Sequence, residues 1–288
     1  VDFPLDDTIK SQLNFYLMKI EKISDSDVIY IHSDIFNTLS GIIKDLLADL
    51  EEDKNKKRKL FFILTTNGGS IEEVERIVNV VRHFYDEVVF AIPDYAYSAG
   101  TVLCMSGDEI YMNYYSVLGP IDPQVPNKDG RYIPAQGYLD KVGEFIEKSR
   151  ENNLTDAEFM MLRELDLANL RYYQQARELS IELLKKWLVR YKFKNWNNHR
   201  TTDPGRAVTP DEKEKRAEDI AADLSDNNRW KSHGRGLDIK TLQDLKLEIV
   251  DFEEDADLAS NLNKYYALVR DYIGQRKLGA FFHTRRFI

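Results

Sequence analysis

Residues Val88–Met105 read VVFAIPDYAYSAGTVLCM: an apolar run, a polar turn that holds a proline, and a second apolar run entered through Ser98-Ala99-Gly100-Thr101. Val88-Val89-Phe90-Ala91-Ile92 has the β-branched and aromatic character of a buried strand, and Ser98 stands where a helix begins. At such a junction free backbone N–H groups and the helix dipole favour negative charge, so a serine alkoxide is stabilised there. Serine is also a preferred helix cap, and the local sequence leaves both roles open.

Upstream, Leu60-Phe61-Phe62-Ile63-Leu64 runs into Thr65-Thr66-Asn67-Gly68-Gly69-Ser70. Paired glycines turn the chain sharply and leave N–H groups uncovered, as a loop that holds an oxyanion requires, while Ser70 reads as the cap of the next helix. Working outward, strands are expected at 28–31, 60–65, 88–92 and 109–112, with helices at 39–52 and 70–85 and a short one from Ser98. Apolar strands alternating with amphipathic helices predict an α/β fold whose parallel sheet is built from βαβ crossover units. Chemistry in such sheets gathers at the carboxyl ends of strands, which is where Gly68, Gly69 and Ser98 fall.

The 288 residues are enough for a large core; 43% are hydrophobic and 31% charged, as in a soluble globular protein. A net charge of −9 argues against a nucleic-acid surface, and the basic ending Thr284-Arg285-Arg286 is too short to reverse it. The single cysteine, Cys104, excludes an intrachain disulfide and a thiolate zinc cluster, and its apolar neighbours make it a buried small hydrophobe. The histidines show no metal-ligand spacing, so neither a metal nor another cofactor is expected. With no membrane-spanning stretch and no secretory leader in view, a reducing, cytoplasmic setting is expected.

Beyond residue 115 a proline-punctuated loop through Gly119-Pro120-Ile121-Asp122-Pro123-Gln124 continues to Pro134, and a helix starting near Gln136 carries Lys141. Thr155–Tyr191 reads as one or two long helices opened by a capping box at Thr155, with a leucine stripe suited to core or to a subunit interface. The charged run Asp211–Glu218 reads as a solvated helix face, and a last helix spans Asp255–Arg276.

Taken in order, Asn67-Gly68-Gly69-Ser70, Tyr97-Ser98-Ala99-Gly100, Gly107–Met112, Ser116–Pro120 and the closing Leu245–Asp251 resemble the ClpP-like serine peptidases. The likeness is to the signal peptide peptidase A, NfeD-type and serine dehydrogenase proteinase group, and Gly119–Gln124 points to the last of these. The resemblance implies a ClpP/crotonase-like spiral of βαβ units with an added C-terminal helical region. Residues 1–150 would form the catalytic core, 151–232 a helical elaboration, and 233–288 the closing core element with a final helix. It further implies a self-associating peptidase that acts on polypeptides without ATP, and the charge and hydropathy add the expectation of no nucleic-acid partner and no membrane span.

Carried over by position, the resemblance makes Ser98 the nucleophile, with Ala99 and the Gly68-Gly69 turn supplying the oxyanion N–H groups. The histidine of a ClpP-type triad has no counterpart in Leu118–Gln124, and the later acidic position falls near Gly234. The Ser-Lys relatives place their base at the start of a helix after the loop, which is Lys141. A lysine ionises near pH 10.4, so service as a base near neutrality needs a shift of roughly 3 units, about 4 kcal/mol in favour of the neutral amine. Leu139, Val142 and Phe145 offer desolvation, whereas Asp140 and Glu144 would oppose it by pairing with the ammonium. His233 is an auxiliary candidate. Two other readings compete with the peptidase: a crotonase-like acyl-CoA enzyme, which needs no serine nucleophile, and a ClpP-fold scaffold or adaptor that has lost its base.

Overall fold

The two-residue alternation of the central strands divides their side chains between two cores. Ile29, Leu60, Phe62, Val88, Phe90 and Ile110 point to one face, and Val28, Tyr30, Phe61, Ile63 and Val89 to the other. In the computed structural model, which describes residues 4–121, 124–126, 132–200, 203–232 and 234–288, helices cover both faces. The chain opens with α1 (Pro4–Ser24), β1 (Asp27–His32), α2 (Leu39–Glu51), β2 (Lys59–Thr65), α3 (Ile71–Phe84) and β3 (Glu87–Ala91). It continues with β4 (Tyr95–Ala96), α4 (Ala99–Cys104), β5 (Glu109–Met112), β6 (Val117–Leu118), β7 (Gln124–Pro126) and β8 (Tyr132–Pro134). A mainly helical stretch follows: α5 (Ala135–Arg150), α6 (Asp156–Arg163), α7 (Leu167–Trp187), a π-turn at Leu188–Lys192, α8 (Pro210–Leu224), α9 (Asn227–Trp230) and α10 (Ile239–Asp244). The chain closes with β9 (Val250–Asp251), α11 (Ala256–Arg276) and β10 (Phe281–His283).

The main sheet runs β10-β1-β2-β3-β5-β9, parallel throughout except for β10, which pairs antiparallel with β1. Register aligns Phe62 with Phe90, whose rings stack with centroids 5.1 Å apart. This is the α/β architecture expected from the sequence, with each core strand within a residue of its expected bounds. α7 and α8 bury Leu183, Leu184, Ile220 and Leu224 in the same core as α2, α3 and α4. The first half of the leucine stripe is shallower, with Leu162 and Leu165 half-buried and Ala168 and Tyr172 exposed, and beside it Phe159, Met160, Met161 and Leu167 are exposed.

Three elements depart from the sequence reading. β7 and β8 pair as an antiparallel ladder where only loop was expected. α1 and β10, which the reading left out, close the second core: Leu13, Leu17 and Ile20 of α1 pack with Leu262, Tyr265 and Val269 of α11 and with Phe281. Arg285, read as part of a small basic ending, is internal. Its guanidinium donates to Glu21 (2.8 Å), to the fully buried Asp27 (2.6 Å) and to Asp53 (2.8 Å). Removing that cation leaves the buried Asp27 with Tyr85 Oη and the Lys57 N–H as its hydrogen-bond donors among the described residues. Arg285→Met is therefore expected to destabilise the fold by about 3–5 kcal/mol in urea denaturation.

His283 is buried between Tyr265 Oη, which donates to Nδ1 (2.8 Å), and Asn14 Oδ1, which accepts from Nε2 (2.9 Å). Both ring nitrogens are engaged by the neutral ring, and burial pulls its pKa down to about 3. The unfolded chain then binds a proton near pH 6.5 that the folded chain refuses. Stability from this residue is complete above pH 6.5 and falls as pH drops toward 3. Equilibrium unfolding between pH 7 and 4 should show a shallower loss in His283→Gln, whose amide can meet both partners without titrating.

Candidate active site

Ser98 does not cap α4. It adopts φ 53° and ψ −118°, outside the regions an L-residue normally occupies, and its side chain makes no capping hydrogen bond to the helix. Such a backbone costs on the order of 1–3 kcal/mol and persists only where the surroundings impose it. They do so here. Tyr97 N–H donates to Thr66 O (3.0 Å) and Thr66 N–H to Tyr95 O (3.2 Å), which ties the turn to the end of β2. From the other side Gly119 N–H donates to Ala96 O (3.0 Å), and Gly100 N–H closes the turn onto Tyr97 O (2.8 Å). The result is a sharp strand-to-helix elbow with a serine at its apex, 3% exposed.

The Gly-Gly loop lies directly against this elbow. A Cβ placed on Gly68 would sit 2.7 Å from Tyr97 O and 2.9 Å from Ser98 Cβ, and one on Gly69 only 2.2 Å from Ile35 O. Both residues also have positive φ, 100° and 146°, so glycine is required twice over. Ile35 N–H donates to Gly68 O (2.8 Å) and Ser70 N–H to Ile35 O (2.9 Å), anchoring the loop to the segment after β1. Ser70 caps α3 as expected, accepting from Glu73 N–H at 3.1 Å.

The two glycine amides are not equivalent. Gly68 N–H donates to Thr66 Oγ1 (3.1 Å), whereas Gly69 N–H has no hydrogen-bond acceptor among the described residues. Ala99 N–H, at the first helical position of α4, likewise lacks one, as the geometry of a helix start dictates. Two donors without an acceptor among the described residues thus come from the two segments that meet at Ser98.

Lys141 lies on α5 with its side chain more than half exposed. Its ammonium donates to Glu144 (2.7 Å) and stands 5.2 Å from the centre of the Phe145 ring. Lys148 also pairs with Glu144 (3.0 Å), and hydrogen bonds from Lys141 and then Lys148 hold that carboxyl below the usual range. Of the two environments weighed for Lys141, the one realised in this conformation is the Glu144 pair. Phe145 is buried as expected, but Leu139 and Val142 are only partly so. His233 lies outside the described residues, as do Asp122 and Pro123. Cys104 is fully buried, and burial pushes its thiol well above the ordinary range, so it is inert. Sequence reasoning missed the part of Thr66, whose hydroxyl holds the Gly68 amide; it reads locally as one more strand-end threonine.

Against known proteins, a family model described as ClpP-like SDH-type serine proteinase matches residues 44–206, more than half of the chain. The uncharacterized proteins MJ0137 and MJ1495 of Methanocaldococcus jannaschii are each 33% identical to it, over 87 and 92 residues respectively. Those alignments cover 30% and 32% of this chain, and 29% and 30% of the two relatives. Among solved structures, a mutant of the membrane-bound stomatin-specific protease 1510-N in complex with a substrate peptide aligns with a TM-score of 0.33 and 20% identity. That alignment covers 40% of this chain and 57% of the other. A mutant of ClpP1 from Listeria monocytogenes aligns with a TM-score of 0.31 and 17% identity, over 38% of this chain and 63% of its own. On the family match, which spans the Gly-Gly loop, the serine elbow and α5, the chain belongs to the ClpP-like SDH-type serine proteinases.

Proposed function

We propose that the protein is an ATP-independent serine endopeptidase in which Ser98 is the nucleophile, Gly69 and Ala99 form the oxyanion hole, and Lys141 is the general base. The observation that carries this reading is the strained backbone of Ser98 packed against Gly68, since a structural cap needs neither. Strain at a buried serine between two N–H donors that have no acceptor among the described residues has a chemical use. It sets Oγ at the apex of the turn, and the proposed oxyanion donors come from the two segments on either side of it.

In the proposed reaction Ser98 Oγ attacks the scissile carbonyl carbon as its proton passes to Lys141 Nζ. The oxyanion is held by the Gly69 and Ala99 N–H groups. Collapse breaks the C–N bond, and the leaving amine takes the proton from Lys141. Water, deprotonated by the now neutral Lys141 amine, then attacks the acyl ester, and as the ester C–O bond breaks Lys141 returns that proton to Ser98 Oγ. Gly68 serves as the space that lets the loop approach, its own amide being committed to Thr66.

This scheme sets Lys141 a condition: its amine must leave Glu144 and lose water before it can accept a proton. An occupant on the α5–α6 surface would supply that, either bound polypeptide or another subunit of a homo-oligomer. Exposed Phe159, Met160 and Met161 beside the Lys148–Glu158 pair support such a covering. A reducing, cytoplasmic setting fits the single buried thiol.

Hydrolysis of an unstructured polypeptide such as casein tests the scheme. Ser98→Ala should abolish it, and Lys141→Ala should lower turnover to background; full activity of the lysine variant would move the base elsewhere, with His233 next. Gly68→Ala, which forces a Cβ onto Ser98, should cost on the order of a hundredfold in turnover through misplacement alone. Acyl-CoA binding detected by calorimetry, with no peptide cleavage, would favour the crotonase-like alternative. A folded protein with neither activity would favour the scaffold.

A further inference from the structure

The end of the sheet opposite Ser98 carries a concavity of about 680 Å³. Its floor includes Glu87 and Glu109, the first residues of β3 and β5, whereas the serine elbow follows the other end of β3. The strand alone separates the two by roughly 13 Å. The walls come from the π-turn and the segment after it, together with the loop between α10 and β9.

Lys192, the last residue of the π-turn, lines this cavity and makes no hydrogen bond or ion pair with any described residue. π-turns are rare and frequently found at functional sites, and this one follows directly on the end of α7. Burial pulls the Lys192 amine down to about 8, against the opposing influence of Glu248, Glu109 and Asp108. Those acids do not neutralise it by contact: Asp108 is held by Arg82 and Lys194, and Glu248 by Arg200 (2.9 Å). Arg216 and Lys246 also line the cavity, with no ion-pair partner among the described residues. Beside them the Phe193 and Trp196 rings meet edge to face, with centroids 5.6 Å apart.

We propose that this cavity is a binding site for a small monocarboxylate with a flat apolar body, its carboxylate pairing with Lys192 and its ring lying against Phe193 and Trp196. A largely desolvated ammonium, half-buried in the cavity and with no contacting counter-ion among the described residues, is costly, and a bound carboxylate supplies that partner. Three cations without an ion-pair partner among the described residues, set against Glu87 and Glu109, suit one negative charge; a dianion would meet repulsion from the two carboxylates. The site is independent of the peptidase assignment, and nothing in it depends on Ser98.

Calorimetry on the full chain with N-acetyl-L-phenylalanine, its neutral amide and phenyl phosphate tests the proposal. The carboxylate should bind at least tenfold more tightly than either other probe. Lys192→Met should remove that tenfold advantage while leaving the amide's affinity unchanged. Binding should alter tryptophan fluorescence, and the change should vanish in Trp196→Phe. Equal affinity for carboxylate and amide, tighter binding of the phosphate, a fluorescence change that survives Trp196→Phe, or no binding at millimolar concentration would each overturn it. The comparison of probes on the unmodified protein decides the matter even where Lys192→Met fails to fold.

Discussion

Everything at the candidate active site depends on one close approach, that of the Gly68 Cα to the Ser98 side chain. The space between them admits no methyl group, and both backbones have left the ordinary L-residue regions to make the fit. The parallel pairing of β2 with β3 brings the two segments to the same sheet end. The hydrogen bonds from Thr66 to Tyr95 and from Tyr97 to Thr66 then lock the loop and the elbow together. Burial of both strand faces under helices is what supplies the stability against which a strained serine can be held. Fold and chemistry are joined in this sense: the sheet register sets the distance, and the strain fixes the orientation.

The same sheet presents two ends of different character. At the carboxyl end the polar groups are backbone amides, suited to a transient oxyanion. The amino end is framed by side chains of the inserted helices, with permanent charges and aromatic rings suited to a bound organic anion. The C-terminal segment closes the molecule by a third device. β10 adds to the β1 edge, and Arg285 is drawn among Glu21, Asp27 and Asp53, so an acidic protein uses one of its few terminal cations as an internal tie.

Much of this was legible in the sequence, and the limits have physical causes. Strands buried on both faces give continuous apolar runs, so β1, β2, β3 and β5 announce themselves locally, and the capping boxes and caps at Ser70 and Thr155 do the same for helix starts. The conformation of Ser98 did not, because a serine before a helix reads as a cap until the clash with Gly68 is visible in three dimensions. α1 went unread because only a narrow stripe of it, Leu13, Leu17 and Ile20, is deeply buried. The partner of Lys141 was legible only as a choice: helical spacing places Glu144 beside it, and whether that pair or an apolar cover prevails depends on what lies across α5. The Lys192 cavity left no local signal, since it joins a π-turn to strand starts far away in sequence.

The central claim, that the elbow exists to present a nucleophile, is tested most directly by tandem mass spectrometry of the protein after reaction with diisopropyl fluorophosphate. The account predicts one diisopropylphosphoryl group, located on Ser98 and absent from Ser98→Ala. A folded protein that carries the group on another serine, or that remains unmodified while cleaving peptide, would contradict it.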